Sequence, residues 1–386
     1  MRVVLIRSNP IRPDSRVEKE VYSLKKAHHD VKVLCWDRDS NHKPQCDFLQ
    51  LGDEKVEIIR IGHIAEFGAR FKSLKSYLLF QLNMVRWLIY HRKEYDAVHA
   101  CDFDTAFFSQ IAKVLFGKLF IFDIFDYIYL KPSNLFGLCI KRLEDNIISK
   151  ADATIICSEE RIKQLKDSFP KRVTIIHNSP ASIYNTKDGI SDTNNHARIK
   201  ISYIGILQEG RLLHELGGFF ESNSGDYEFH VGGFGLLENY FKDLSNRCNN
   251  IFYYGRTDYS TTLSIEANSD IMIAIYDPKV PNHLFAAPNK FYESLFLGKP
   301  LIMVKNTGMS NYVKKYHIGS LMEDFSILSF ENSLKEICAQ KDRWGRIGNI
   351  SKKLYKYRFS WDIMSERLVK LYDELETSLH CESSNE

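Results

Sequence analysis

Pro288-Asn289-Lys290 opens an apolar helix, 291–297, with Glu293 one turn in and Gly298 placed to end it in a left-handed cap. A helix start of this composition offers free backbone N–H groups and an ammonium at the positive end of the helix dipole, which is a place to hold a phosphate. The Glu293 carboxylate is suited to accept two ribose hydroxyls. An ordinary α/β crossover with surface charges would carry the same letters. Lys299-Pro300 then leads into a buried strand, 301–304.

A second stretch, Ile204-Gly205-Ile206-Leu207-Gln208-Glu209-Gly210-Arg211, follows a strand and opens a helix. Gly205 and Gly210 let the backbone approach a ligand, and the Arg211 fork matches a diphosphate; a solvated arginine at a helix start is the plainer reading. Gly232-Gly233-Phe234-Gly235 is a glycine cluster without the full dinucleotide fingerprint or its following acid. Near the N-terminus, the segment from Arg7 to Arg16 is rich in proline and charge, with Asp14 or Ser15 as a helix cap. Two more strand ends gather carboxylates, Asp102 and Asp104 after His99, and Asp126 after Asp123; Asp102 and Asp126 serve equally well as helix caps, and His99 as a buried strand-end histidine.

These loops need a scaffold that puts strand ends together. Strands are expected at 3–6, 31–36, 56–61, 97–100, 119–123, 153–157 and 173–177, with helices at 15–27, 71–90, 107–115 and 135–150. A polar segment, 181–198, reads as a linker. The alternation resumes with strands at 200–204, 227–231, 251–254 and 271–275 and helices at 211–221, 236–247 and 260–267, and a last helix covers 361–376. Short apolar strands separated by amphipathic helices imply parallel sheets covered on both faces, hence two Rossmann-like domains. The 386 residues suffice for both cores. A net charge of +3 makes no case for nucleic acid. The 25 Phe and 20 Tyr suit a large aromatic core, or stacking on sugars. Eight scattered cysteines with no CxxC pair imply reduced thiols and no zinc site. The opening run of Val3 to Ile6 is too short for a signal peptide, and no stretch approaches the roughly 20 apolar residues of a membrane span.

The stretch 286–304 resembles the nucleotide-sugar site of the family 4 glycosyltransferases, retaining enzymes of the two-domain GT-B fold, whose members read P-N-K-aliphatic-Y-E before a G-K-P-aliphatic-I strand. The resemblance implies two doubly wound α/β domains facing across a cleft, with acceptor-binding residues in 1–180, a donor-binding domain at 199–358, a terminal helix (359–378) crossing back to the first domain and a disordered tail at 379–386. It implies a catalytic set of Arg211, Lys290 and Asp126. Gly205, Gly233, Arg256, Asn289, Lys290 and Glu293 would hold the donor, and Arg12, Arg16 and Asp102 an anionic acceptor such as a lipid pyrophosphate. Phe285 stands where the family's first motif glutamate falls, so that contact is not carried over.

No cofactor or metal is expected, since the family uses none, and Asp102-Phe103-Asp104 has the letters of a metal motif in the acceptor domain. The expected partners are a nucleotide-sugar donor, a carbohydrate or lipid-linked acceptor and an anionic membrane surface. The last comes from 68–93, where six basic residues, among them Arg70, Lys72 and Lys75, meet no acid and alternate with aromatics such as Trp87. A core helix with snorkelling cations is the alternative there. The expectation is a cytoplasmic enzyme peripheral to the inner face of the membrane, transferring sugar in capsule, O-antigen or exopolysaccharide synthesis. The alternative is an inactive relative that binds polysaccharide or a partner.

Overall fold

The computed structural model describes residues 1–11, 14–65, 73–127, 135–181 and 198–383. Arg12, Arg70, Lys72 and nearly all of the expected linker lie outside them. The chain divides into two compact units, Met1–His177 with Asp362–Glu386, and Asn178–Trp361.

The first unit holds β1 (Arg2–Arg7), α1 (Ser15–Lys26), β2 (Asp30–Asp37), β3 (His42–Leu51), β4 (Glu54–Gly62), α2 (Leu74–Tyr90), β5 (Ala97–Cys101), α3 (Asp102–Ser109), α4 (Ile111–Phe116), β6 (Leu119–Ile124), α5 (Leu135–Lys150), β7 (Ala153–Ile156) and β8 (Val173–Ile175). Its sheet runs β3-β4-β2-β1-β5-β6-β7-β8. Strands β1, β5, β6 and β7 are buried almost throughout, as parallel strands covered on both faces must be.

Two elements differ from the sequence reading. The expected strand at 56–61 is one arm of an antiparallel hairpin whose other arm is β3. That arm is polar, mostly exposed and contains Pro44, all traits of an edge strand that an apolar-run criterion overlooks. The expected helix at 107–115 is two short helices that meet at Gln110.

The second unit holds β9 (Ile199–Ile206), α6 (Leu213–Ser222), β10 (Tyr227–Phe234), α7 (Glu238–Arg247), β11 (Ile251–Tyr253), α8 (Tyr259–Ala267), β12 (Ile271–Ala274), α9 (Asn289–Leu297), β13 (Leu301–Val304), α10 (Ser310–Tyr316), β14 (Gly319–Met322), α11 (Ile327–Ala339) and α12 (Trp344–Leu354). The sheet order is β11-β10-β9-β12-β13-β14, every pair parallel. Gly298 ends α9 in the left-handed conformation, φ 73°. A Cβ on Gly348 of α12 would lie 2.7 Å from the Gly298 carbonyl oxygen, so only a glycine lets α12 close on that cap. The sequence reading assigns nothing between 305 and 357, where β14 is four residues long and α12 carries two glycines.

The last helix, α13 (Trp361–Ser383), runs from the end of the second unit into the first. Its Tyr372 hydroxyl lies 2.8 Å from His99 Nδ1, and its Arg367 donates to the Ile175 carbonyl. His99 is wholly buried and Nε2 faces Asp123 at 3.4 Å. Asp123 in turn pairs with Arg16 at 2.7 Å, and Arg16 with Glu20 at 3.0 Å. Arg16 also donates to the Ile176 carbonyl. This corrects the sequence assignment of Arg16 to an anionic ligand, because its guanidinium is buried and committed to two carboxylates. Burial, then the Asp123 charge, push the Glu20 carboxyl well above the usual range. Burial also works against ionised Asp123, but Arg16 and His99 overcome it and hold its carboxyl low.

Removing Arg16 would strand Asp123 and Glu20 without a cation. Arg16→Met should therefore cost about 3–5 kcal/mol in chemical denaturation, against less than about 0.5 kcal/mol for a surface arginine.

Candidate functional site

In an open parallel sheet the ligand crevice forms at the carboxyl ends of strands whose connections run in opposite directions. In the second unit that point lies between β9 and β12. The end of β9 and the loop after it carry Gly205 to Arg211, and Gly210 (φ 74°) and Leu212 (φ 59°) turn the loop back into α6. The segment after β12 makes a short 3-10 turn, Pro281–Phe285, and then enters α9.

Lys290, the second residue of α9, is buried, and its ammonium sits 4.4 Å from the centre of the Tyr203 ring. A Cβ on Gly205 would come within 2.6 Å of that ammonium, so the space Lys290 occupies exists because residue 205 has no side chain. Burial lowers the Lys290 pKa, opposed by Glu293 and Glu266, and Arg211 lowers it further. Glu293 lies one turn along α9 and is only 2% exposed. Glu266, on α8, has both carboxylate oxygens buried away from water. Burial, then the nearby Glu293 charge, hold its carboxyl well above the usual range.

Arg211 is half-buried, with its guanidinium 3.8 Å above the Tyr276 ring and Nη1 2.8 Å from His283 Nε2. Asn289 is exposed at the start of α9. Gly233 (φ 127°) pairs in register with Gly205, and a Cβ there would meet the Gly205 carbonyl oxygen at 1.7 Å. Packing of one loop on the other therefore suffices to require a glycine at 233. Arg256 is exposed, with its guanidinium 4.9 Å from the Phe234 ring, and Asp258 caps α8. The structure thus gathers Gly205, Arg211, Lys290 and Glu293 at one strand-end crevice. It adds Tyr203, Glu266, Tyr276 and His283, which sequence reasoning missed. None of the four stands in a recognisable spacing; the nearest signal is an acid, Glu266, between Ile265 and Ala267 in a helix with no other acid.

The first unit has its own switch point, between β1 and β5. Asp102, at φ 65°, begins α3 and accepts the Phe125 and Asp126 amides at 2.9 and 3.1 Å while pairing with Arg7. Burial raises its carboxyl to about 6 against the pull of Arg7. The Arg7 and Arg16 guanidinium groups lie 4.1 and 4.5 Å from the centre of the Phe125 ring. Asp126 is largely exposed and pairs with Arg161 at 3.0 Å. Among the described residues, ligand atoms of His99, Cys101 and Asp123 lie within 4.8 Å of one another. Asp123 is already paired with Arg16 there, and both His99 nitrogens have partners, so the geometry is that of a structural ion-pair network.

On α2, Trp87 is buried and stacked on His91 and Tyr95, which corrects its assignment to a membrane face. Lys75 and Arg86 are exposed, and so are Leu74, Leu78 and Leu82, which share one helix face at four-residue spacing.

No protein-family model matches the chain, and no curated protein matches it in sequence. Solved structures do match its fold. Sucrose-phosphate synthase from Thermosynechococcus elongatus superimposes with a TM-score of 0.76 at 14% identity, covering 98% of this chain and 100% of that one. The α,α-trehalose 6-phosphate synthase of Burkholderia multivorans gives 0.71 at 10% identity, over 98% and 99%. The Anabaena protein HepE in complex with UDP gives 0.69 at 13% identity, over 97% and 100%. The fold is that of the GT-B glycosyltransferases, two Rossmann-like α/β units.

The raised Glu266 carboxyl makes a signed prediction. A folded-state pKa above the unfolded value means stability falls as pH rises out of the usual carboxylate range toward the folded value. Glu266→Gln removes that loss. In calorimetric melts the variant should match wild type near pH 5 and melt higher at pH 8.

Proposed function

We propose that this protein is a retaining, metal-independent glycosyltransferase of the hexosyltransferase type. It moves a sugar from a nucleoside-diphosphate donor to a lipid-linked carbohydrate acceptor in surface-polysaccharide synthesis, at the inner face of the membrane. The observation that carries this reading is the meeting of Lys290 and Arg211 at the β9–β12 switch point, one beside Gly205 and the other over Tyr276, with buried Glu293 one turn below. The fold likeness supports it, since HepE has been solved with UDP and with UDP-glucose. UDP is accordingly the first nucleotide to test.

The difficult step is departure of the nucleoside diphosphate from an oxocarbenium-like carbon. As that bond breaks, negative charge grows on the diphosphate, and Arg211, Lys290 and the amino end of α9 stabilise it. These positive groups serve the leaving group without a divalent ion. Glu293 accepts the ribose hydroxyls, with Asn289 and Arg256 bordering the nucleotide. Asp102, Asp126 and Arg12 remain the acceptor-side assignment, with Arg12 outside the described residues. Retention of configuration comes with the family resemblance. Phe285 favours one second reading, an inactive relative that binds UDP and releases no sugar from a UDP-sugar.

The membrane contact rests on α2 and α4. Leu74, Leu78 and Leu82 on one, and Val114 and Leu115 on the other, are exposed apolar side chains. Arg92 at the end of α2 lies over Phe116 of α4 and joins the two helices. Exposed Lys75, Arg86, Arg92 and Lys93 accompany them. Cations beside apolar side chains suit an anionic lipid surface. No helix among the described residues is long and apolar enough to cross a membrane.

Three experiments test the proposal. Glu293→Gln should weaken UDP binding in calorimetry by on the order of 2–4 kcal/mol without unfolding the protein. Arg211→Ala and Lys290→Ala should cut turnover of the UDP-sugar more than they change acceptor KM, and wild-type turnover should survive EDTA. Activity that vanishes with chelation and returns with Mg²⁺ assigns the leaving-group charge to a metal instead. The protein should also sediment with anionic vesicles at low salt and ignore neutral ones. Changing Lys75 and Arg86 to Glu should abolish sedimentation at about 1 kcal/mol per cation and leave UDP binding intact.

A further inference from the structure

We infer that His283 is a positioning residue that aims Arg211 at the leaving diphosphate, and that it acts as a neutral imidazole carrying its proton on Nδ1. The inference rests on the donor-site reading above and adds a residue that the reading does not use. His283 lies on the 3-10 turn between β12 and α9, one loop away from Arg211 in space and 72 residues away in sequence.

The tautomer follows from the partners. His283 Nδ1 lies 2.8 Å from the Asp277 carbonyl oxygen, and Nε2 lies 2.8 Å from Arg211 Nη1. A carbonyl only accepts and a guanidinium only donates. Nδ1 must therefore carry the hydrogen, and Nε2 must present its lone pair to Arg211. An imidazole with both nitrogens protonated would have no acceptor for Arg211 and would set a second cation beside it.

Three further contacts hold the arrangement. The Arg211 guanidinium carbon lies 3.8 Å over the centre of the Tyr276 ring, which meets the His283 ring edge-on at 5.2 Å. The Asp277 amide donates to the Gly210 carbonyl at 3.1 Å, which ties the Arg211 loop to the His283 turn. Gly210 holds φ 74°, the left-handed region open to glycine, at the residue before Arg211. A guanidinium has five N–H donors in a fixed fork. Nη1 is held by His283 at 2.8 Å and by the Gly210 carbonyl at 3.3 Å, and the group rests on the Tyr276 ring. The direction of the rest is thereby fixed before any ligand arrives, so binding an anion does not have to order a free arginine.

Calorimetric titration with UDP tests this on the full chain. His283→Leu should weaken UDP roughly tenfold or more, the scale of one lost charge-assisted hydrogen bond. Thermal melting should stay within a few degrees of wild type. His283→Gln, whose side-chain oxygen is placed like Nε2, should restore affinity to within about threefold. In an Arg211→Ala background His283→Leu should have no further effect, because its only route to the ligand is through Arg211. His283→Leu binding UDP as tightly as wild type, or penalties that multiply in the double variant, would overturn the inference while leaving Arg211 at the donor. Wild-type protein that binds no nucleoside diphosphate at all overturns the donor-site reading and this inference together. Loss of UDP affinity in His283→Gln as deep as in His283→Leu overturns the tautomer assignment.

Discussion

A lysine ammonium taken out of water must find both room and compensation. At the β9–β12 crevice the room comes from Gly205, whose missing side chain is where the Lys290 ammonium lies, and the compensation from the Tyr203 ring face, Glu293 and Glu266. Most of the second unit's local detail follows from that placement. Gly233 must be glycine because it packs on Gly205, and Gly235 because its own Cβ would strike the Leu207 carbonyl at 2.5 Å. Burial and the neighbouring Glu293 charge disfavour the ionised form of Glu266 beside the ammonium. A charged helix start buried in this way is a poor stability device.

The first unit solves the same problem with different chemistry. Its switch point is filled by charge that the protein pairs internally: Arg7 with Asp14 and Asp102, and Arg16 with Asp123 and Glu20. Both arginines also lie against the Phe125 ring. Asp126 stands at the edge of this network, exposed and on Arg161. In both crevices cations lie against aromatic rings, but in the first each arginine is also paired with two carboxylates.

The alternating architecture was legible in the sequence because parallel strands buried on both faces are short apolar runs, and α9 because Pro288, Asn289 and Gly298 mark both of its ends. Strand β3 was not legible, since an edge strand has no need to be apolar. Arg16 and Trp87 were misplaced for a related reason. Arginine and tryptophan look alike on a surface and in a core, and only partners distant in the chain decide which applies. For Arg16 that partner is Asp123, 107 residues away. His283 and Glu266 stayed hidden because each acquires its meaning from a loop or helix that no local pattern connects to it. The sequence motif also pointed to Phe285, two residues past the histidine that touches Arg211.

The first unit is interrupted: its sheet is complete by residue 175, yet Tyr372, the buried partner of His99, is on α13. The whole second unit is spelled out between them. On a ribosome the earlier residues must wait with His99 Nδ1 lacking its Tyr372 partner and the helix's docking face uncovered, while residues 178–361 emerge and fold as a continuous stretch of chain. The second unit is thus the one able to finish during synthesis. The half translated first is the last to close, and its exposed interval lengthens with every residue inserted into the other.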